Sequence, residues 1–255
     1  MILCRRRRAA ADEGVLMNVL VVDIGGSNVK VLATGAAAPK KMPSGPELTP
    51  ALMVAGVRKA ASEWAYEAVS IGFPGPVRDN RPVAEPHNLA EGWIGFDFAA
   101  AFGHPIKLVN DAAMQALGSY EGGRMLFLGL GTGLGSAMVI DGIVHALELA
   151  HLPYRKGTFE DYVGRRGIKR HGRKRWRQSV EDVVTRLSFA LQADYVVLGG
   201  GNVKKLKHLP HGARQGDNAN AFTGGFRLWE TDRRQGPVGV GGRAAPRSPR
   251  GELSG

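Results

Sequence analysis

The pattern of apolar and polar positions predicts strands that end in glycine turns. Residues 20–35, LVVDIGGSNVKVLATG, form an apolar run, an acid with two glycines and a second apolar run, which predicts a hairpin. Residues 125–142, MLFLGLGTGLGSAMVIDG, repeat the pattern, and residues 194–202, DYVVLGGGN, end a third apolar strand. Two such hairpins, each beginning an α/β half, indicate an internal duplication.

Helical spacing separates these strands. Thr49 and Pro50 supply an N-cap and a first helical residue for one helix, and further helices are predicted over residues 112–123, 177–192 and 220–230. The strand IKLVND runs directly into the helix that begins at residue 112. Asn110 and Asp111 are therefore expected at a strand-to-helix junction.

Composition narrows the class of protein. With 255 residues, 44% of them hydrophobic, the chain can bury one large core or two small ones. Its single cysteine, Cys4, excludes a disulfide framework and a cysteine-based zinc site, which favours a reducing, cytoplasmic setting. No apolar run approaches the roughly 20 residues that cross a bilayer, so no membrane partner is expected.

Both ends of the chain are predicted to lie outside the folded region. The arginines at residues 5–8 precede AAADEG rather than an apolar segment, which argues against a secretory signal. Met17 stands just before the first strand, so residues 1–16 are interpreted as disordered or as a mis-annotated extension. Residues 231–255, rich in Gly, Pro, Arg and Ser, are predicted to be a disordered tail.

The charge is concentrated in one segment. A net charge of +11 by itself indicates a polyanionic partner such as nucleic acid. However, residues 155–177 alone carry ten basic and two acidic residues. A solvated basic surface without a ligand explains such a run equally well.

The glycine turns predict a phosphate site. Glycine lets a backbone approach a ligand and present consecutive N–H groups, the arrangement that holds phosphate oxygens. A plain hairpin turn remains an alternative for each turn taken singly. Neither a P-loop nor the G-x-G-x-x-G spacing of a dinucleotide site is present.

Asp23 adds a metal to this prediction. A carboxylate beside a phosphate would be repelled unless a hard cation such as Mg²⁺ stood between them, directly or through water. The alternative is that Asp23 caps its own turn.

Seven ordered motifs then resemble those of a known family: DIGGSNVK, GFPGPV, NLAEGW, VNDAAMQALG, GLGTGLGSA, ELAHLPY and LGGGN. They resemble the ROK sugar kinases of the actin-like ATPase superfamily, and most closely the polyphosphate glucokinase branch, over residues 18–230. The resemblance implies an α/β fold of the two-lobed actin-like ATPase (ribonuclease H-like) type, with lobes at residues 17–110 and 111–230. It also implies a sugar in the cleft and a phosphate donor held by glycine turns.

The resemblance assigns roles residue by residue. It implies that Asp111 is the general base and that a set of polar residues holds the sugar: Asn88, Asn110, Glu148, His151 and, as a looser match, Glu160. The implied phosphate-binding residues are Gly25, Gly26, Ser27, Asn28, Lys30, Gly131, Thr132, Gly133, Gly199, Gly200 and Gly201. From spacing alone, Asp111 fits a plain helix cap equally well, and Glu160 fits a solvated cap.

The chain departs from the family pattern in two ways, at ELAHLPY and in the cysteines that accompany its histidine in many relatives. Ala150 replaces the usual glycine, and its methyl group would crowd the turn if the position needed a positive φ. In many relatives the histidine also ligates zinc together with a cysteine cluster. This chain has no such cysteines, so His151 is not expected to be a zinc ligand.

The sequence therefore predicts a cytoplasmic hexose kinase. The resemblance implies glucose phosphorylated at its 6-hydroxyl, Mg²⁺ as cofactor, polyphosphate or ATP or both as donor, no nucleic-acid partner, and leaves a homodimer open. The alternative is a catalytically weak ROK-type protein that binds sugar or regulates transcription. Residues 1–16 are too short for the helix-turn-helix of such a repressor.

Overall fold

A computed structural model describes residues 17–217 and 219–234. It contains two five-stranded sheets and two short hairpins. The strands of the first lobe are β1 (Val19–Ile24), β2 (Asn28–Ala33), β3 (Lys40–Pro43), β4 (Ala68–Phe73), β5 (Val77–Arg78), β6 (Arg81–Pro82) and β7 (Ile106–Asn110). Those that follow are β8 (Arg124–Leu130), β9 (Leu134–Ile140), β10 (Ile143–Leu147), β11 (Pro153–Tyr154), β12 (Gly157–Thr158), β13 (Tyr195–Gly199) and β14 (Ala213–Gln215).

The two sheets share one topology. The first has the order β3-β2-β1-β4-β7 and the second β10-β9-β8-β13-β14. In each, the first three strands along the chain pair antiparallel, and the remaining two extend the sheet in parallel from the first. The predicted glycine-turn hairpins are β1-β2 and β8-β9, at equivalent positions in the two sheets. The internal duplication stays a prediction. This two-lobed α/β architecture is the predicted fold class.

Six helices accompany the sheets within the described residues: α1 (Pro50–Ala60), α2 (Phe98–Phe102), α3 (Asp111–Ser119), α4 (Phe159–Val163), α5 (Arg165–Ala190) and α6 (Asn220–Arg234). The predicted cap of α1 is confirmed, because the Thr49 side chain accepts a hydrogen bond from the Leu52 N–H at 3.2 Å. None of the described helices is long and apolar enough to span a membrane.

Helix α5 differs from the prediction in length. The sequence predicted a helix over residues 177–192, but α5 begins at Arg165 and so includes most of the basic segment. Gly172 interrupts it with φ 74° and ψ 163°, a conformation that glycine adopts without strain. The basic residues are therefore displayed on two consecutive helical pieces that meet at Gly172.

The hydrophobic core is divided between the lobes. Strand β1 is buried along its whole length, and Trp93 is the largest fully buried side chain of the first lobe. Trp176 is the largest fully buried side chain of the second lobe, and its indole N–H donates to the Val163 carbonyl at 2.7 Å. Each sheet thus has its own core.

Helix α6 connects the two lobes. It crosses α3 closely, since a Cβ at Gly118 or Gly224 would lie 1.8 Å from a backbone oxygen of the other helix. It also packs on the first sheet, where the Ser70 hydroxyl donates to the Gly225 carbonyl at 2.6 Å. The sequence assigned residues 111–230 to the second lobe, whereas α6 lies against β1 and β4 of the first.

The predicted terminal segments fall mostly outside the described residues. Helix α6 extends to Arg234, past the boundary predicted at residue 230. Residues 1–16 and 235–255 lie outside the part of the chain that the structure describes.

Candidate active site

A cleft of about 380 Å³ lies between the lobes and gathers residues from both sheets. Polar and glycine residues predicted from widely separated motifs meet there. Those that line it are Gly26, Asn88, Asn110, Asp111, Gly131, Thr132, Gly133, Glu148, His151, Glu160 and Gly200. The remaining predicted residues, Asp23, Gly25, Ser27, Asn28, Lys30, Gly199 and Gly201, belong to the same strand ends and turns but not to this lining.

Asp111 is placed in the cleft by the junction of β7 and α3. It is the first residue of α3, and its Oδ1 accepts the N–H of Ala112 at 2.8 Å. Burial raises the pKa of Asp111 to about 7, and the negative charges of Asp23 and Glu148 add to the shift. A carboxyl with this pKa can hold or release a proton near neutral pH.

The capping role proposed as an alternative for Asp111 belongs to its neighbour. Asn110 is the N-cap of α3, where its Oδ1 accepts the N–H groups of Ala112 and Ala113 at 2.9 and 3.3 Å. Its Nδ2 donates to the Gly75 carbonyl at 3.0 Å. Asn110 therefore fixes the start of α3 and the Gly75 loop on the wall of the cleft.

Asp23 lies at the carboxyl end of β1 and is 7% exposed. Burial raises its pKa, and Lys30, which stands opposite on β2 with its Nζ 3.3 Å from Oδ2, opposes that shift. No group of three metal-ligating side chains occurs among residues 17–217 and 219–234. A single carboxylate suits Mg²⁺ when phosphate oxygens and water supply the other ligands, so Asp23 fits that ion.

In the first glycine turn, a close backbone contact rather than a positive φ explains the glycine at position 25. The Gly25 N–H donates to the Asn28 carbonyl at 3.0 Å, and a Cβ at Gly25 would lie 3.0 Å from the same oxygen. The N–H groups of Gly26 and Ser27 have no hydrogen-bond acceptor among the described residues. They are therefore available to an anion.

The second and third turns lie against each other. Gly200 has φ +85°, and a Cβ there would lie 2.5 Å from the carbonyl oxygen of Leu130, so this position requires glycine. In the part of the chain that the structure describes, the N–H groups of Thr132, Gly133 and Gly201 have no acceptor. Backbone donors presented in this way form an anion-binding concavity.

The cleft lining also includes the residues predicted to hold the sugar. Glu160, near the start of α4, donates its N–H to the Ala150 carbonyl at 3.0 Å, and its carboxylate lies beside Gly133. Glu148 and His151 are exposed on the loop after β10. Asn88 lies near the first glycine turn, since a Cβ at Gly26 would be 3.8 Å from its Nδ2.

Ala150 does not strain its turn. Its φ is not positive, and its methyl group is buried in the core of the second lobe with 5% exposure. The crowding that the sequence raised as a concern is therefore absent at this residue.

Sequence reasoning missed four polar residues of this region. His87, Gln115 and Ser136 line the cleft, and Asn202 joins the second and third glycine turns. His87 and Asn202 stand within or beside quoted motifs, next to Asn88 and Gly201. Their roles depend on contacts between segments distant along the chain, which spacing does not reveal.

Comparison with family models gives a match to the ROK family over residues 19–147. The chain belongs to the ROK family. Glu148, His151, Glu160 and the third glycine turn lie beyond the matched residues, so their placement in this ROK protein rests on the geometry described above. Comparison with curated protein sequences found no significant match.

Solved structures share the fold. An inorganic polyphosphate/ATP-glucomannokinase from Arthrobacter sp. strain KM is 20% identical with a TM-score of 0.72, covering 85% of this chain and 99% of its own. A ROK glucokinase from Streptomyces griseus, in complex with glucose and AMPPNP, is 17% identical with a TM-score of 0.65, covering 85% and 99%. A ROK transcriptional regulator, a homologue of E. coli MLC, is 13% identical with a TM-score of 0.67, covering 85% and 78%.

Proposed function

We propose that this ROK protein is a hexose kinase that phosphorylates the 6-hydroxyl of glucose. The observation that carries the proposal is the position of Asp111, a carboxyl with a pKa of about 7 in a cleft between polar side chains and unsatisfied backbone donors. A sugar hydroxyl is a poor nucleophile at neutral pH and needs a base beside it. A positioned base contributes about 10²- to 10⁴-fold to such a reaction.

The residues divide the work of transfer. Asn88, Glu148, His151 and Glu160 would hold the sugar so that its hydroxyl faces Asp111, and Asp111 takes the hydroxyl proton as the oxygen attacks the terminal phosphoryl group. The glycine turns hold the donor phosphates through their N–H groups. Alignment of donor and acceptor in one cleft can contribute about 7 to 11 kcal/mol.

Asp23 is the residue that would hold Mg²⁺. The ion, when bound, would neutralise negative charge on the donor phosphates. Lys30 then remains near the same phosphates as a second positive charge, because it stands opposite Asp23 on the neighbouring strand.

We propose inorganic polyphosphate as a donor, used alone or together with ATP. Helix α5 begins at the second glycine turn, where the Arg165 N–H donates to the Thr132 carbonyl at 3.0 Å. Farther along, the Arg177 Nε donates to the Lys205 carbonyl at 2.7 Å, just after the third turn. Lys174, Arg177, Lys207 and His208 line a second cavity of about 630 Å³ together with Gln178, Glu181 and Asp182. The cations Lys174, Arg177 and Lys207 would serve phosphates beyond the first three.

The test is a coupled assay of glucose phosphorylation with ATP and with polyphosphate, beside a calorimetric titration with glucose. Phosphorylation by wild type that is lost in Asp111→Asn supports the kinase. Glucose binding without phosphorylation by either donor would instead support the sugar-binding regulatory alternative, which the fold shared with the MLC homologue also allows. Absence of both sugar binding and phosphorylation contradicts the proposal.

A further inference from the structure

Asn202 is a buried polar residue at the contact between two glycine turns. It follows the third turn directly, is 6% exposed, and has interactions on both sides. Its Nδ2 donates to the carbonyl of Gly131 at 2.6 Å, and its backbone N–H donates to the carbonyl of Leu130 at 3.0 Å. Its Oδ1 accepts a hydrogen bond from the Nζ of Lys205 at 2.6 Å.

These bonds join the end of β8 to the end of β13. The second turn begins at Gly131, and the Gly200 backbone already lies in close contact with Leu130. Among the described residues, Asn202 is the one side chain that hydrogen-bonds across these two turns. The side chain therefore adds to the backbone contacts that hold the N–H groups of Thr132, Gly133 and Gly201 at their spacing.

An amide is suited to this position. Its NH₂ group donates to a part-buried carbonyl while its oxygen accepts from a lysine ammonium, so both halves of the side chain are used. Truncation would leave the Gly131 carbonyl without this donor, and the loss of a hydrogen bond at a part-buried acceptor is costly. The turn would then shift to find another partner.

We propose that Asn202 is a positioning residue for the phosphoryl donor, because it fixes the second glycine turn relative to the third. This inference rests on the proposed kinase function. Asn202 acts through the backbone N–H groups of the two turns, while Lys205 holds the amide in the orientation that allows the bond to Gly131.

Two variants of Asn202 test the role. Asn202→Ala removes the side-chain bonds without adding charge, and Asn202→Asp keeps the shape but replaces the donor to Gly131 with an acceptor. Both are expected to raise the KM for the donor at least about fivefold, the scale of one lost hydrogen bond. The Kd for glucose should stay within about twofold of wild type.

Asn80 supplies a matched control. Its Nδ2 donates to the Ile106 carbonyl at 2.9 Å and its Oδ1 accepts the Leu108 N–H, so it also joins two backbone segments, but in the first lobe. Asn80→Asp should leave the donor KM within about twofold. A purely structural role of Asn202 would instead affect glucose Kd and donor KM together.

The outcomes separate this inference from the proposed function. An unchanged donor KM in Asn202→Ala overturns the positioning role, and an effect confined to Asn202→Asp would show charge repulsion instead. If wild type lacks turnover, AMPPNP and a short polyphosphate are titrated by calorimetry. Donor binding that weakens in Asn202→Ala then retains the positioning role while the kinase proposal fails, and absence of donor binding in wild type contradicts both.

Discussion

The negative charge of Asp23 helps to raise the pKa of Asp111, although the two residues are 88 positions apart in the chain. The reason is the sheet order. Strands β1, β4 and β7 are parallel neighbours, and Asp23, Gly72 and Val109 stand in register across them. Two strand spacings of about 4.8 Å thus separate the strand that carries Asp23 from the strand that leads to Asp111.

Asp111→Asn should lower turnover at least about 100-fold while leaving glucose affinity within about tenfold. An amide is nearly isosteric and can still hydrogen-bond the sugar hydroxyl, but it cannot accept its proton. Steady-state kinetics and a glucose titration on the same preparations measure the two effects. A variant that keeps more than about a tenth of wild-type turnover would show that Asp111 is not the base.

Turnover should depend on pH through Asp111. Because its pKa is about 7 and the base is the deprotonated form, kcat/KM is expected to fall about tenfold per pH unit below that value. Asp23→Asn removes a negative neighbour, so the Asp111 pKa should decrease, as NMR titration of its carboxyl carbon would report. An unchanged pKa in that variant would contradict the coupling between the two residues.

The free energy of unfolding should also depend on pH through Asp111, but it should decrease with rising pH where turnover increases. The pKa of Asp111 rises from its ordinary 3.8 to about 7, so the folded state binds this proton more tightly than the unfolded state. The stabilisation of the folded state by this proton is fully present below about pH 4 and is lost as pH rises through 7. The free energy of unfolding of Asp111→Asn relative to wild type should therefore be higher at pH 8 than at pH 4, by at least about 1 kcal/mol. Urea unfolding at both pH values measures it, and an equal difference at each would contradict the raised pKa.

Asp23→Ala should raise the Mg²⁺ concentration needed for half-maximal activity and cut turnover at least about tenfold, with glucose affinity nearly unchanged. Lys30→Met is the matched control, because it breaks the same ion pair while leaving the carboxylate in place. It should raise the donor KM without changing the Mg²⁺ requirement. Equal effects of the two variants would show that the pair is structural.

Polyphosphate use should depend on the exposed basic residues of α5. Changing Arg173, Lys174 and Arg175 to Gln should lower kcat/KM for polyphosphate at low salt while leaving that for ATP within about twofold, since ATP has three phosphates. The wild-type rate with polyphosphate should also fall steeply with added salt, because several exposed cations act together.

The control for this variant removes equal charge from the first lobe, by changing the exposed Lys41, Arg58 and Lys59 to Gln. It should behave as wild type. A wild type that uses ATP alone, or an α5 variant equal to the control with polyphosphate, would contradict the donor proposal.

The features that the sequence predicted correctly are those that neighbouring residues determine. The hairpins at β1-β2 and β8-β9 are readable because apolar strands and glycine turns are short-range signals. The junction at Asn110 and Asp111 is readable for the same reason, and the motif order indicated the family. The length of α5 was missed because arginine and lysine are good helix formers without an apolar stripe, so periodicity gave no signal before residue 177.

The sequence by itself determined which residues are chemically able to act: the acids Asp23 and Asp111, the glycines of three turns, and the basic segment. The tertiary structure alone decided which of them meet. Parallel pairing brings Asp23 into line with the strand of Asp111, Asn110 takes the cap, and Asn202 joins two turns about 70 residues apart. Strand order and hydrogen bonds between distant segments determine these relationships, and local sequence patterns do not specify either of them.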